Sequence, residues 1–79
     1  MKDLTGTIIY DSWGNDGKGK IGMVLGKCNY RDQKLESLDD WEVEWYGPKG
    51  SYQTAMSRGS IVLFISEYKR FKERFKENN

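Results

Sequence analysis

The clearest pattern in this chain is a strict alternation of apolar and polar residues over residues 41–45. Trp41, Val43 and Trp45 take turns with Glu42 and Glu44. A period of two places successive side chains on opposite faces of a strand, so the apolar residues should face a core and the glutamates should face solvent. This pattern predicts an antiparallel strand with one solvated face.

Four further segments have a composition typical of strands, namely residues 5–10, 21–26, 51–55 and 61–64. In residues 21–26, Ile21, Met23 and Leu25 share one face. Gly22 and Gly26 lie on the other face and indicate a bend or a close approach of backbone. Loops and turns are predicted where glycine, proline, asparagine and aspartate gather, at residues 13–20, 27–40, 46–50 and 56–59. One helical turn is expected near Leu35.

The hydrophobic period changes near the C-terminus. Aromatic side chains recur there at the spacing of an amphipathic helix, at Phe64, Tyr68, Phe71 and Phe75. Ser66 suits an N-cap, so we predict a helix over residues 66–77. Its aromatic stripe is expected to lie as a lid on the strands. The alternative is that the stripe faces a partner, with Phe75 at a dimer interface.

Two short motifs resemble those of a known family. Residues 19–24, Gly-Lys-Ile-Gly-Met-Val, resemble the G-x-I-G-x-V second strand of SH3-like barrels. Residues 41–47, Trp-Glu-Val-Glu-Trp-Tyr-Gly, resemble their W-x-V-x-W-x-D-G third strand. Over roughly residues 5–64 the chain is similar to the small SH3-like proteins common in tailed bacteriophages, particularly those of cyanobacteria. It departs from them in the Tyr-Gly pair, in the longer turn that follows and in the C-terminal helix.

The resemblance implies a mainly β fold, a five-stranded antiparallel SH3-like barrel followed by an amphipathic helix. It also implies a viral origin, and most such proteins have no assigned activity. The 79 residues form one predicted domain, with the barrel over residues 1–65 and the helix over residues 66–77. A domain this small is often helped by oligomerisation.

Composition argues against an enzyme. The chain has no histidine and one cysteine, so the side chains that most often act as general bases or activated nucleophiles are nearly absent. Cys28 cannot form an intramolecular disulfide and is expected to be buried. The acidic loop residues lack the spacing of a calcium loop, and we predict no metal and no cofactor. Without a long apolar run or signal peptide, the protein is expected to be soluble and cytoplasmic, with no membrane partner.

Charge is nearly balanced, with 13 basic and 12 acidic residues, but it is unevenly distributed. The C-terminal residues carry an excess of lysine and arginine, and residues 35–46 hold acids and no base. Together with surplus aromatic residues, this favours a non-enzymatic binding module, phage-encoded, that binds and modulates a host protein, as a monomer or a homodimer. The predicted partner-binding residues are Trp13, Tyr46, Tyr52, Arg58, Arg70, Arg74 and Phe75.

Nucleic-acid binding is the alternative, in replication, transcription or packaging. Small barrels bind nucleic acid when basic loops flank aromatic residues on which bases stack. The candidate phosphate contacts are Lys18, Lys20, Lys49 and Arg58, and the same residues would serve a phage protein that sequesters a nucleotide signal. The near-zero net charge argues against this alternative, as do Glu42 and Glu44 on the third predicted strand.

Overall fold

The computed structural model describes residues 2–31, 34 and 38–77, and for residues 75–77 the backbone alone. Four antiparallel strands form one sheet in chain order: β1 (Ile8–Asp11), β2 (Lys20–Lys27), β3 (Asp40–Gly47) and β4 (Gly50–Ser57). One helix, α1 (Arg58–Glu77), follows β4 directly. The helical turn predicted near Leu35 falls outside the described residues.

The alternation in β3 builds the core as predicted. Trp41, Val43 and Trp45 are 5%, 0% and 3% exposed, and they belong to one buried cluster. The other members of that cluster come from the N-terminal segment, β1, β2 and α1, and they are Leu4, Ile9, Val24 and Ile61. Strand β3 lies at the centre of the hydrogen-bonded order between β2 and β4, so its apolar face supplies much of the core.

The predicted close approach at Gly22 is confirmed. Gly22 lies opposite Trp45 in the register of β2 and β3, and a Cβ built on Gly22 would lie 2.8 Å from the Trp45 ring. A side chain at this position would therefore push the indole out of the core. At Gly26 the register of the two strands shifts after Val24, which is a β-bulge of the kind that glycine in a strand often marks.

The predicted fifth strand and the turn before it are wrong. Residues 61–64 lie inside α1, which begins at Arg58 rather than at Ser66. Ser57 is the N-cap, since its hydroxyl accepts a hydrogen bond from the Ser60 N–H at 3.3 Å. A short apolar run carries no period of its own, and Ile61 belongs to the helical stripe.

The described part of the chain therefore forms an open four-stranded sheet, and a closed five-stranded barrel is not what the described residues show. The helix leaves the end of β4 and packs mainly against β1, on the other edge of the sheet. Two aromatic contacts hold it there: Phe64 meets Trp45 edge to face with ring centroids 5.6 Å apart, and Phe71 stacks on Tyr10 at 4.5 Å. The helix covers the sheet as the lid hypothesis predicts.

Candidate binding surface at the loop end of the sheet

The connections β1–β2 and β3–β4 lie side by side at one end of the sheet. The first is the loop of residues 12–19, and the second is the two-residue turn of residues 48–49. Both line a shallow cleft of about 340 Å³, together with Tyr52. We call these two connections and Tyr52 the loop-end surface.

Hydrogen bonds hold the β1–β2 loop in one shape. The Asp11 carboxylate accepts from the Trp13 N–H at 3.0 Å, and the Asp11 carbonyl accepts from the Gly14 N–H at 3.2 Å. The Gly19 N–H donates to the Gly14 carbonyl at 2.8 Å, and the Asn15 amide donates to the Gly19 carbonyl at 3.0 Å. The loop is therefore closed on itself, at both its base and its tip.

The loop's composition follows from its backbone angles. Asn15 and Asp16 have φ of 53° and 57°, and Gly17 and Gly19 have φ of 86° and 89°. Among residues with a side chain, asparagine and aspartate adopt the left-handed region with low conformational strain, and glycine adopts it with the lowest strain of all. At Gly19 the space where a Cβ would stand is occupied by the Tyr10 hydroxyl, so this position requires glycine for a second reason.

Trp13 extends from this loop into solvent. It is 84% exposed, the largest value among the exposed large apolar residues of the described structure. Its backbone is fixed through Asp11, while its indole has most of its surface uncovered. A rigid backbone that presents a bare tryptophan is the arrangement that protein interfaces use for an anchor residue.

Lys20, a predicted phosphate contact, is already engaged. Its ammonium donates to the Tyr52 hydroxyl at 2.5 Å and lies 4.5 Å from the centre of the Trp45 ring and 4.0 Å from the Asp11 carboxylate. Its side chain is only 18% exposed. Lys20 therefore positions Tyr52 at the loop end.

Lys18 and Lys49 are the exposed cations of the loop-end surface. One comes from the loop and the other from the turn, and both line the shallow cleft beside Tyr52, which is 51% exposed. Asp16 lines the same cleft, so the surface carries an acid as well as its two lysines. Of the four predicted phosphate contacts, the structure brings Lys18, Lys20 and Lys49 together.

Arg58 lies at the opposite end of the sheet. The eight residues of β4 separate it from the turn, which is about 25 Å at the rise of a strand. Its guanidinium pairs with the Asp39 carboxylate, donates to the Lys2 carbonyl at 2.7 Å and covers the Trp41 ring at 5.3 Å. Hydrogen bonds from Arg58 and then from Trp41 lower the pKa of Asp39. Arg58 therefore links the N-terminal segment to the sheet.

The remaining predicted residues lie in other places. Tyr46 is exposed at the loop end, but the strand register puts it on the sheet face opposite Trp45 and Tyr52. Arg70 and Arg74 are exposed on α1 and line a small cleft of about 150 Å³ that reaches Ser12. The side chain of Phe75, the last predicted partner-binding residue, lies outside the described part of the chain.

The contact between Ser12 and Glu67 joins the helix to the loop. The Ser12 hydroxyl donates to the Glu67 carboxylate at 3.0 Å, one residue before Trp13. Arg70 and Arg74 line the cleft that reaches the loop at Ser12, and Lys18 and Lys49 line a separate cleft at the loop end. Sequence reasoning missed Asp11 and Ser12. The signal for Asp11 was its place two residues before Trp13, since aspartate often accepts from the N–H two residues ahead.

A separate hydrogen-bond network lies at the end of the sheet opposite the loop-end surface. Tyr30 donates to the Asp40 carboxylate at 3.1 Å, and its pKa is raised to about 12 by hydrogen bonding with Cys28, by burial and by Asp40. Cys28 is half-buried there, and its N–H donates to the Asp40 carbonyl at 3.0 Å. The part of the chain that the structure describes contains no group of three or more side chains suited to hold a metal ion.

No family model, no curated protein and no solved structure matches this chain. Among the described residues, no helix is both long and apolar enough to cross a membrane.

Proposed function

We propose that this chain is a non-enzymatic module that binds another protein through its loop-end surface, with Trp13 as the anchor residue. The observation that carries the proposal is the 84% exposed indole on a loop that is closed by its own hydrogen bonds. A flexible loop would lose conformational entropy on binding, and a fixed loop loses little. The absence of histidine from the sequence supports a role without catalysis.

The charges around Trp13 indicate the chemistry of the partner. Lys18 and Lys49 are exposed in the cleft at the loop end, and Arg70 and Arg74 are exposed in the cleft that reaches Ser12. A protein surface with an apolar pocket and an acidic rim would complement this arrangement. We propose a host protein as the partner, because the sequence motifs resemble those of small phage SH3-like proteins. The phage origin is part of the same proposal.

Nucleic acid is the second candidate, and one observation favours it. Lys18, Lys49 and Tyr52 line one cleft, so a phosphate and a base could be bound side by side. Lys20 and Arg58 make contacts within the chain, which weakens this candidate, since electrostatic affinity grows with the number of cations that meet the nucleic-acid backbone. The acidic Asp16 in the same cleft weakens it further.

One capture experiment distinguishes the two candidates. The tagged protein is incubated with bacterial lysate, with and without nuclease, and bound proteins and nucleic acids are measured. Three variants accompany it: Trp13→Ala, Lys49→Glu and the control Leu63→Ala, which removes an apolar side chain that is 68% exposed on α1. Circular dichroism checks that each variant is folded.

The protein-binding proposal predicts a partner that survives nuclease and is lost in Trp13→Ala but retained in Leu63→Ala. Truncation of an interface tryptophan costs on the order of 2–4 kcal/mol, which is roughly a 30- to 1,000-fold rise in Kd. Equal capture by wild type and Trp13→Ala would refute the role of Trp13. Capture of nucleic acid alone, weakened by Lys49→Glu and by salt, would favour the second candidate.

A further inference from the structure

Strand β4 is an edge strand, and among the described residues no strand pairs with its outer side. It pairs with β3 on one side, and α1 packs mainly on β1 at the other edge of the sheet. Seven of its eight residues are exposed, and only Met56 is partly buried. An uncovered edge of this length is a template for pairing with another strand.

The hydrogen-bond register identifies which backbone groups are free. The two-residue turn makes Gly47 and Gly50 partners, and the Arg58 N–H donates to the Asp39 carbonyl at 2.9 Å at the far end. Since bonded pairs alternate in an antiparallel ladder, the even-numbered residues of β4 bond to β3. The odd-numbered residues Ser51, Gln53 and Ala55 therefore direct both their N–H and their C=O groups outward. Ser57 offers its N–H alone, because the carbonyl of an N-cap residue accepts the first hydrogen bond of the helix.

The composition of β4 lacks the features that normally protect an edge. Edge strands are usually protected by lysine, proline or inward-pointing charge. No charged residue and no proline occurs in Gly50–Ser57, although 32% of the chain is charged. Two copies of this segment can therefore approach each other without charge repulsion.

We propose that β4 pairs antiparallel with β4 of a second copy, which joins two four-stranded sheets into one continuous sheet. The odd-numbered residues from 51 to 57 are centred on Thr54. A two-fold axis at Thr54 therefore places each of them opposite an odd-numbered residue of the second copy. Gln53 then faces Ala55 of the second copy, and Ser51 faces Ser57. Each Gln53–Ala55 pair exchanges two bonds and each Ser51–Ser57 pair forms one, which gives about six hydrogen bonds across the axis.

The side chains support this register. At the axis Thr54 faces Thr54 of the second copy, and threonine pairs are favourable across strands. Tyr52 faces Met56 of the second copy, and both lie on the face that carries the core. The smallness of the domain adds a reason, because a 79-residue chain buries a limited core and benefits from a second copy.

The test is the mass of the full chain in solution over a range of concentration. Sedimentation equilibrium should show a rise from 9.2 kDa towards twice that value as the concentration is raised to about 500 μM. Thr54→Lys places two lysines about 5 Å apart across the axis and should return the protein to a monomer. The neutral control Thr54→Gln should remain a dimer, and circular dichroism should be the same for both variants.

Amide hydrogen exchange gives a second, residue-by-residue measurement on the wild type. The N–H groups of Tyr52, Thr54 and Met56 should be protected at every concentration, because they bond to β3. Those of Gln53 and Ala55 should be protected only at high concentration.

A wild-type chain that stays at 9.2 kDa up to 500 μM would overturn the proposal. Such an edge would remain open to an extended segment of a different protein. A dimer that persists in Thr54→Lys would overturn it as well, since the interface would then lie elsewhere. The capture experiment with Trp13→Ala tests a different proposal, and its outcome leaves the dimer test unchanged, because β4 pairing uses none of the atoms of Trp13.

Discussion

Replacing Ile61 and Leu63 by alanine, one at a time, tests the main difference between the sequence prediction and the structure. The two residues are two positions apart. In a closing strand they would share one face and would be buried or exposed together. In α1 they point about 200° apart, so one faces the sheet and the other faces solvent. The structure has Ile61 at 0% exposed and Leu63 at 68%.

The expected magnitudes follow from that burial. Ile61 lies in the core cluster, and truncation of a fully buried isoleucine to alanine costs about 2–5 kcal/mol. A 79-residue domain is expected to have about 4–12 kcal/mol of stability in total, so Ile61→Ala removes a large fraction of it. Leu63→Ala removes exposed surface at a helical position where alanine is favourable, and its effect should be within about 0.5 kcal/mol.

Thermal unfolding followed by circular dichroism measures both costs. At about 4–8 °C per kcal/mol for a domain of this size, a loss of about 3 kcal/mol in Ile61→Ala should lower the Tm by about 12–24 °C. Leu63→Ala should lower the Tm by less than about 4 °C. Equal losses in the two variants would refute the helical assignment of residues 61–64 and favour the strand.

Two further changes test the network around Arg58 and the loop. Arg58 lowers the pKa of Asp39, so the charged carboxylate should add to the free energy of unfolding above its ordinary pKa of 3.8. This contribution should be lost as the pH falls through the lowered pKa. Asp39→Asn should therefore flatten the pH dependence of the free energy of unfolding, measured with urea between about pH 2 and 5. Gly19→Ala should lower the free energy of unfolding by about 2–4 kcal/mol, because it adds a clash with the Tyr10 hydroxyl to the strain of a positive φ. Gly17→Ala has the strain but open space around the new Cβ, and it should cost about 1–2 kcal/mol. Similar losses of Tm in the two variants would contradict the clash at Gly19.

Strand β3 could be predicted from sequence because its period is long enough to measure. Five residues of strict alternation allow only one face for the core, and Trp41, Val43 and Trp45 occupy it. Residues 61–64 are four apolar residues in a row, and such a run fits a buried strand or a buried helix equally well. The deciding signals lay outside the run, in the cap at Ser57 and in the wider helical spacing of Ile61, Phe64, Ile65 and Tyr68.

The site was only partly predictable, because the position of Arg58 depends on the register of β3 and β4, and one turn sets that register. With a two-residue turn after Gly47, counting back along the hairpin puts Arg58 opposite Asp39. The sequence prediction of a longer turn hid that pairing and left Arg58 free to bind a partner. Lys20 escaped prediction for a different reason: its contact with Trp45 and Tyr52 spans three strands, and no local pattern reports it.

The helix in place of a fifth strand connects the two proposed surfaces. Because α1 packs mainly against β1, it brings Arg70 and Arg74 beside the loop that carries Trp13, and it leaves β4 open. A dimer paired through β4 about Thr54 would place the two β3–β4 turns roughly 33 Å apart, at opposite ends of the strand pair. Two loop-end surfaces held at a fixed separation favour a partner with two binding sites, since the second contact becomes intramolecular. Thr54→Lys should therefore weaken capture of a divalent partner and leave a monovalent one unaffected.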